Sequence, residues 1–143
     1  MRRSVMCAVD ISQPHVETRV LSTAAKLAAI DNAALDIIAV VPDYGMSVVG
    51  SFFEADHTEK AVAHARQALN ELVDQVLDGD ANDDIRHLVA TGTAYEEILK
   101  AAKAAGSDLI VIGAHKPDFK DYLLGPNAAR VVRHADCSVY VVR

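Results

Sequence analysis

Five apolar runs of strand length, each followed or preceded by a stretch with helical spacing, set the fold this chain can adopt. They are Val5–Val9, Leu35–Val41, Ile85–Ala90, Leu109–Ile112 and Ser138–Val142. Four of them are near-continuously apolar, the mark of strands covered on both faces. Ile85–Ala90 carries Arg86 and His87 and reads as lying nearer a sheet edge. Between the runs, apolar residues recur at helical spacing: Val16, Val20, Ala24 and Leu27; then Ala65, Leu69, Leu72 and Val76 in a helix from Ala55 to Leu77; then Ile98, Leu99 and Ala102; then Ala128, Val131, Val132 and Ala135. The order is β-α-β-α-β-α-β-α-β. Strands alternating with helices predict an open five-stranded parallel sheet with helices on both faces, because right-handed crossovers place the helices there. At 143 residues the chain is expected to be one α/β domain spanning 1–143.

Local signals punctuate this pattern. Ser12 offers a hydroxyl to cap the first helix, Asp31-Asn32 breaks it, and Pro42 stops the second strand. Gly79 to Asp84 reads as a turn. Thr93 and Glu96 match a capping box, and Gly106 ends that helix. Residues 42–54 form a long connection with Gly45, Gly50, Phe52 and Phe53, either a lid or contact surface or a loop tucked into the core. His57 and His64 read as surface residues of the long helix.

Composition narrows the function. A net charge of −6 argues against nucleic acid, whose binding needs a basic face. Gly113 to Arg143 carries five basic residues and three acids, so the remainder holds −8 and this segment is the least acidic part of an acidic protein. No apolar run is long enough to span a membrane, and Val5–Val9 meets Asp10 too soon for a signal peptide. A cytoplasmic location is expected. Cys7 and Cys137 read as two structural thiols in a reducing compartment, and His134 with Cys137 supplies too few ligands for zinc.

The segment from Gly113 to Arg130 carries the chemistry. It follows the strand Leu109–Ile112, begins with Gly113, and reaches Gly125, Pro126, Asn127 and Ala128 at a helix start. Glycine lets the backbone approach a ligand closely. Proline suits the first helical turn, where an N–H would lack an intrahelical partner. A helix N-terminus is a ready anion site. Together these features suggest a phosphate cradle, although the same spacing also occurs in domains without a ligand. In a parallel sheet ligands bind beyond the carboxyl ends of the strands, where strand order reverses. Those ends are Asp10, Val40-Val41, Thr91-Gly92 and Gly113, and Asp10 is the one acid among them. A P-loop is excluded because the string Gly-x4-Gly-Lys-Ser/Thr is absent. A response-regulator receiver is excluded because its acceptor aspartate would fall at Ala90-Thr91-Gly92.

These residues resemble the universal stress protein family over essentially the whole chain. The marks are Ala8-Val9-Asp10-Ile11-Ser12, Val40-Val41, Gly92-Thr93 and the block from Gly113 through Gly125, Pro126 and Asn127 to Arg143. That block is similar to the small single-domain, UspA-like branch, some members of which accompany TRAP-type solute transporters. The resemblance implies a Rossmann-like fold of strand order 3-2-1-4-5. It implies ATP as ligand, with Mg2+ arriving on the phosphates, since no dedicated protein ligands for a metal are visible. It also implies a stress-response or regulatory role.

Carried over by position, Asp10 matches the acid that meets adenosine and Val40 a backbone contact to adenine. Gly113 and Gly125 match the first and last glycines of the family pattern Gly-x2-Gly-x9-Gly-Ser/Thr. Ala8, Ser12, Ile112, His115, Pro126, Asn127 and Ala128 complete the expected nucleotide site. Two departures stand out. Lys116 replaces the middle glycine, with 11 residues between Gly113 and Gly125 where the pattern has one more, and Pro126 replaces the final Ser/Thr. Lys116 offers phosphate a point charge in compensation, and the N–H groups of Asn127 and Ala128 remain. For hydrolysis, His115 and Lys116 are the only candidates near the cradle, so slow or absent turnover is expected. The alternative is a nucleotide-independent module regulating a transporter or another partner through residues 42–54. Val139, Val141 and Val142 around Tyr140 make the last strand an apolar edge, and a homodimer through 138–142 is expected.

Overall fold

The computed structural model of the chain describes residues 3–42, 54–114 and 126–143. The elements run β1 (Ser4–Ala8), α1 (Pro14–Ile30), β2 (Ala34–Val41), α2 (Glu54–Val76), α3 (Gly79–Asn82), β3 (Arg86–Thr91), α4 (Ala94–Ala105), β4 (Leu109–Gly113), α5 (Pro126–His134) and β5 (Ser138–Val142). All strand pairs are parallel, in the order β3-β2-β1-β4-β5. The expected α/β fold and strand order are therefore both observed. β1 is central and buried along its full length, whereas every residue of β3 retains some exposure, as an edge position dictates.

Two cores flank the sheet. On one face α1 and α2 bury Val20, Leu21, Ala24, Leu69, Leu72 and Val73 against Val5, Cys7 and Ile37. On the other, α4 and α5 bury Ile98, Ala102, Ala128 and Val131 against Met6, Ile38 and Ile110. Alternate residues of one strand thus feed opposite cores, as strand geometry requires. The expected helix faces hold with shifts at their margins. Val16, Leu27 and Val76 are half-buried, and Val132 turns outward at 45% exposed.

Four local details depart from the sequence reading or extend it. The residue capping α1 is Gln13, with no side-chain cap bond, and Pro14 occupies the first turn. The Ser12 hydroxyl is drawn instead to Asp10, two residues back. Thr93 does sit at the N-cap of α4 but makes no side-chain cap bond, and Glu96 accepts from the Tyr95 hydroxyl at 3.2 Å. Residues 79–82 close into the four-residue helix α3 within the expected turn.

Gly106 ends α4 in the left-handed region at φ 66°, and the Ser107 N–H donates to Ala102 O at 2.8 Å. At the amino-terminal end of the sheet, Asp36 is buried and accepts two hydrogen bonds from the Arg86 guanidinium, at 3.2 and 2.9 Å. That fork lets an acid sit within an apolar strand. Cys7 and Cys137 are both free thiols.

Candidate functional site

Strand order reverses at β1, whose successor in sequence lies on one side and whose other neighbour is β4. A cleft of about 560 Å3 opens at this point, beyond the carboxyl ends of β1, β2 and β4. Its size falls in the range of small-molecule sites, roughly 300–1,000 Å3. It straddles the sheet's edge. One wall comes from α1 and α2 (Gln13, Glu17, Ala61 and His64), the other from the first turns of α4 and α5 (Ala94, Ile98, Asn127 and Ala128). The floor includes Ala8, Ile38, Val40, Ile112 and Gly113.

The sheet register explains why backbone groups face this space. The Val9 N–H donates to Ile38 O at 3.0 Å, the last rung between β1 and β2. Backbone groups alternate sides along a strand in a parallel ladder. Val40, two residues past Ile38, therefore turns its N–H and C=O to the β1 side, beyond that rung and into the cleft. On β4 the Ala114 N–H points away to Val142 O at 2.8 Å. The preceding Gly113 accordingly turns its C=O toward the same gap.

Asp10 follows β1 directly and is exposed at the cleft. Its Oδ1 accepts from the Ser12 N–H at 3.0 Å and from Ser12 Oγ at 2.6 Å, while its carbonyl accepts from the Gln13 N–H at 3.1 Å. This Asx-type turn leads the chain from β1 into α1 and aims the carboxylate outward. A carboxylate lining the cleft can accept from a hydroxyl or amine. Across the cleft, Pro126 opens α5 as expected. The N–H groups of Asn127 and Ala128 fall in its first turn, where backbone donors have no intrahelical acceptor. The macrodipole adds partial positive charge there.

Of the expected site residues, Ala8, Asp10, Ser12, Val40, Ile112, Gly113, Asn127 and Ala128 all line this one cleft. Pro126 adjoins it through Asn127. His115, Lys116 and Gly125 lie outside the described residues, as do residues 43–53 of the long connection. Several lining residues carry no mark in the motif, among them the polar Gln13, Glu17 and His64. Glu17 is 2% exposed, yet it falls in register with Val20, Leu21, Ala24 and Ala28 on the buried stripe of α1. An acid on an apolar stripe was the available signal. Glu17 also adds to burial in pushing the Cys7 thiol well above its ordinary range, so Cys7 is held as a neutral thiol.

No helix among the described residues is long and apolar enough to cross a membrane. Also among the described residues, no group of three or more His, Cys, Asp or Glu side chains is gathered to hold a metal ion.

The whole chain, residues 1–143, matches the model of the universal stress protein family. Universal stress protein G of Shigella flexneri is 29% identical over 146 residues, covering 100% of both chains. Among solved structures, the universal stress protein UspA from Lactobacillus plantarum superposes with a TM-score of 0.79 at 23% identity, covering 100% of each chain. A universal stress protein in complex with cAMP gives 0.68 at 21% identity, covering 99% of this chain and 96% of that one. The Archaeoglobus fulgidus universal stress protein in complex with dAMP gives 0.58 at 20% identity, covering 100% and 98%. The fold, the full-length match and the cleft at the strand reversal lead to one assignment: the chain belongs to the universal stress protein family.

Proposed function

We propose that the protein binds an adenine nucleotide, ATP foremost, in the cleft over β1, and that occupancy regulates its shape or its partners rather than feeding catalysis. One observation carries this reading. The Asp10 carboxylate, the inward-turned backbone of Val40 and the first turn of α5 converge on a single cleft of nucleotide-compatible size. Their chemistry is divided as a nucleotide's is. Asp10 accepts from ribose or base donors, Val40 offers both a donor and an acceptor to a base edge, and the α5 N-terminus takes an anion. The cAMP and dAMP complexes of related proteins support an adenosine ligand of this kind.

Within this proposal, Gly113, Gly125 and Lys116 complete the phosphate side, with Ser12 holding the Asp10 turn and His115 beside the cradle. Mg2+, where present, arrives on the phosphates. The protein also pairs with a second copy through β5. This edge strand presents Tyr140 at 45% exposed, and unsatisfied backbone along an edge favours a two-fold antiparallel partner.

Nucleotide retention tests the reading. Protein purified rapidly without added ligand, then heat-denatured, should release an adenine nucleotide detectable by chromatography, and should rebind ATP when stripped. Folded protein that neither releases nor rebinds an adenine nucleotide would shift the reading to a nucleotide-independent module, its partner a transporter or other regulator.

A further inference from the structure

His64 reads from the sequence as a surface residue, and the surface it occupies is a wall of the cleft. It stands on α2 three residues after Ala61, on the same face of the helix, and both line the space. The imidazole is exposed, and among the described residues it has no hydrogen-bond, ion-pair or ring partner. The packing of α2 does not call for it, because that helix is fixed by Ala65, Leu69, Leu72 and Val73, all buried. Among the described lining residues it is also the one aromatic side chain. The small side chain of Ala61 leaves room beside it for a second flat ring.

Layer and charge together decide which part of a nucleotide meets this ring. α2 packs with α1 on one face of the sheet, whereas α4 and α5 pack on the other. Ala94 is the first residue of α4 and Asn127 the second of α5, so two helix starts line the cleft on that second face. Helix starts favour anionic groups. α2 meets the cleft well past its own first turn and offers no such terminus. Phosphates therefore belong toward α4 and α5. The nucleoside then spans the strand ends, and its base lies toward α1 and α2. An aromatic face is what a flat heterocycle at that end can use.

We propose that His64 is a base-contact residue, its imidazole stacked on the purine of the bound nucleotide. The proposal rests on the nucleotide reading above and deepens it. Stacking acts on the base alone, so its loss must weaken ATP and adenosine by the same factor. Calorimetric titration of His64→Ala should show both ligands weakened about three- to tenfold, the range of an aromatic pair. His64→Phe keeps a ring face and should bind ATP within about twofold of wild type. Ligand-free melts of both variants should coincide with wild type, because exposed substitutions of this kind are nearly neutral.

Wild-type ATP affinity in His64→Ala, a loss for ATP several times that for adenosine, or a His64→Phe variant as weak as His64→Ala would overturn the stacking role while leaving the nucleotide site intact. Failure of folded wild type to bind ATP would overturn the nucleotide reading and the role of His64 with it.

Discussion

Asp10 holds a turn in this structure and has a second duty in the proposed complex, and substitutions can separate the two. Its Oδ1 holds the turn into α1 through the Ser12 N–H at 3.0 Å and Ser12 Oγ at 2.6 Å, both exposed. Exposed hydrogen bonds sit at the low end of about 0.5–1.5 kcal/mol each, so Asp10→Ala should cost about 1 kcal/mol of stability. For a chain of this size that is a fall in Tm of about 3–5 °C. Ser12→Ala loses only the hydroxyl bond and should fall between wild type and Asp10→Ala. Asp10→Asn keeps an acceptor oxygen for the turn and should melt close to wild type.

Ligand binding should rank differently. Removing the charged acceptor should weaken ATP by about 1–2 kcal/mol, which is roughly five- to thirtyfold in Kd. Asp10→Ala and Asp10→Asn should both show this loss, while Ser12→Ala should keep most of its affinity. Thermal melts paired with calorimetric titration read both quantities on the same samples. ATP binding by Asp10→Ala at wild-type affinity would refute the ligand duty. An Asp10→Asn variant as unstable as Asp10→Ala would refute the turn duty.

Three further outcomes are expected. Cys7 has a raised folded pKa from burial first and the Glu17 charge second, so its stabilisation is complete below the unfolded thiol's pKa and declines above it. Wild type should lose about 1.4 kcal/mol per pH unit above about pH 8.5 that Cys7→Ala does not; identical alkaline slopes in urea denaturation would contradict this. Arg86→Ala leaves the Asp36 carboxylate, 6% exposed, without its two guanidinium bonds. Because Arg86 is itself 57% exposed, the cost should be about 1–2 kcal/mol by denaturant titration, and a cycle with Asp36→Asn showing no coupling would contradict the pairing. Val141→Lys should convert a wild-type dimer to a monomer in light scattering, and a monomeric wild type at micromolar concentration would contradict pairing through β5.

The sheet was legible because its strands are buried on both faces. Runs such as Val5–Val9 and Leu109–Ile112 admit no other reading once helical stretches separate them, and the arginine and histidine in β3 marked it as an edge. The cleft end of the sheet was legible through Asp10, Gly113 and Pro126, residues whose backbone constraints are visible in their identities. What escaped was decided by competition between neighbours. Ser12 is a good cap in isolation, but Pro14 fixes the helix start one residue later, which makes Gln13 the cap and leaves the Ser12 hydroxyl to donate to Asp10. Thr93 took the N-cap position without a side-chain cap bond, and the Glu96 carboxylate that would complete the box accepts from the Tyr95 hydroxyl instead. Glu17 escaped because α1 was read by its apolar positions alone. Its burial follows from the register with Val20 and Leu21, which places it over the strand ends rather than in water.

The most direct test of the central claim is an amide NMR titration of wild-type protein with ATP. Saturable shifts should concentrate at Asp10, Ser12, Val40, Asn127 and Ala128, with one ligand per chain. Adenosine should reproduce the changes at Asp10 and Val40 but not those at Asn127 and Ala128. An absence of saturable shifts from folded protein, or shifts confined to the opposite ends of α4 and α5, would contradict a nucleotide site over β1.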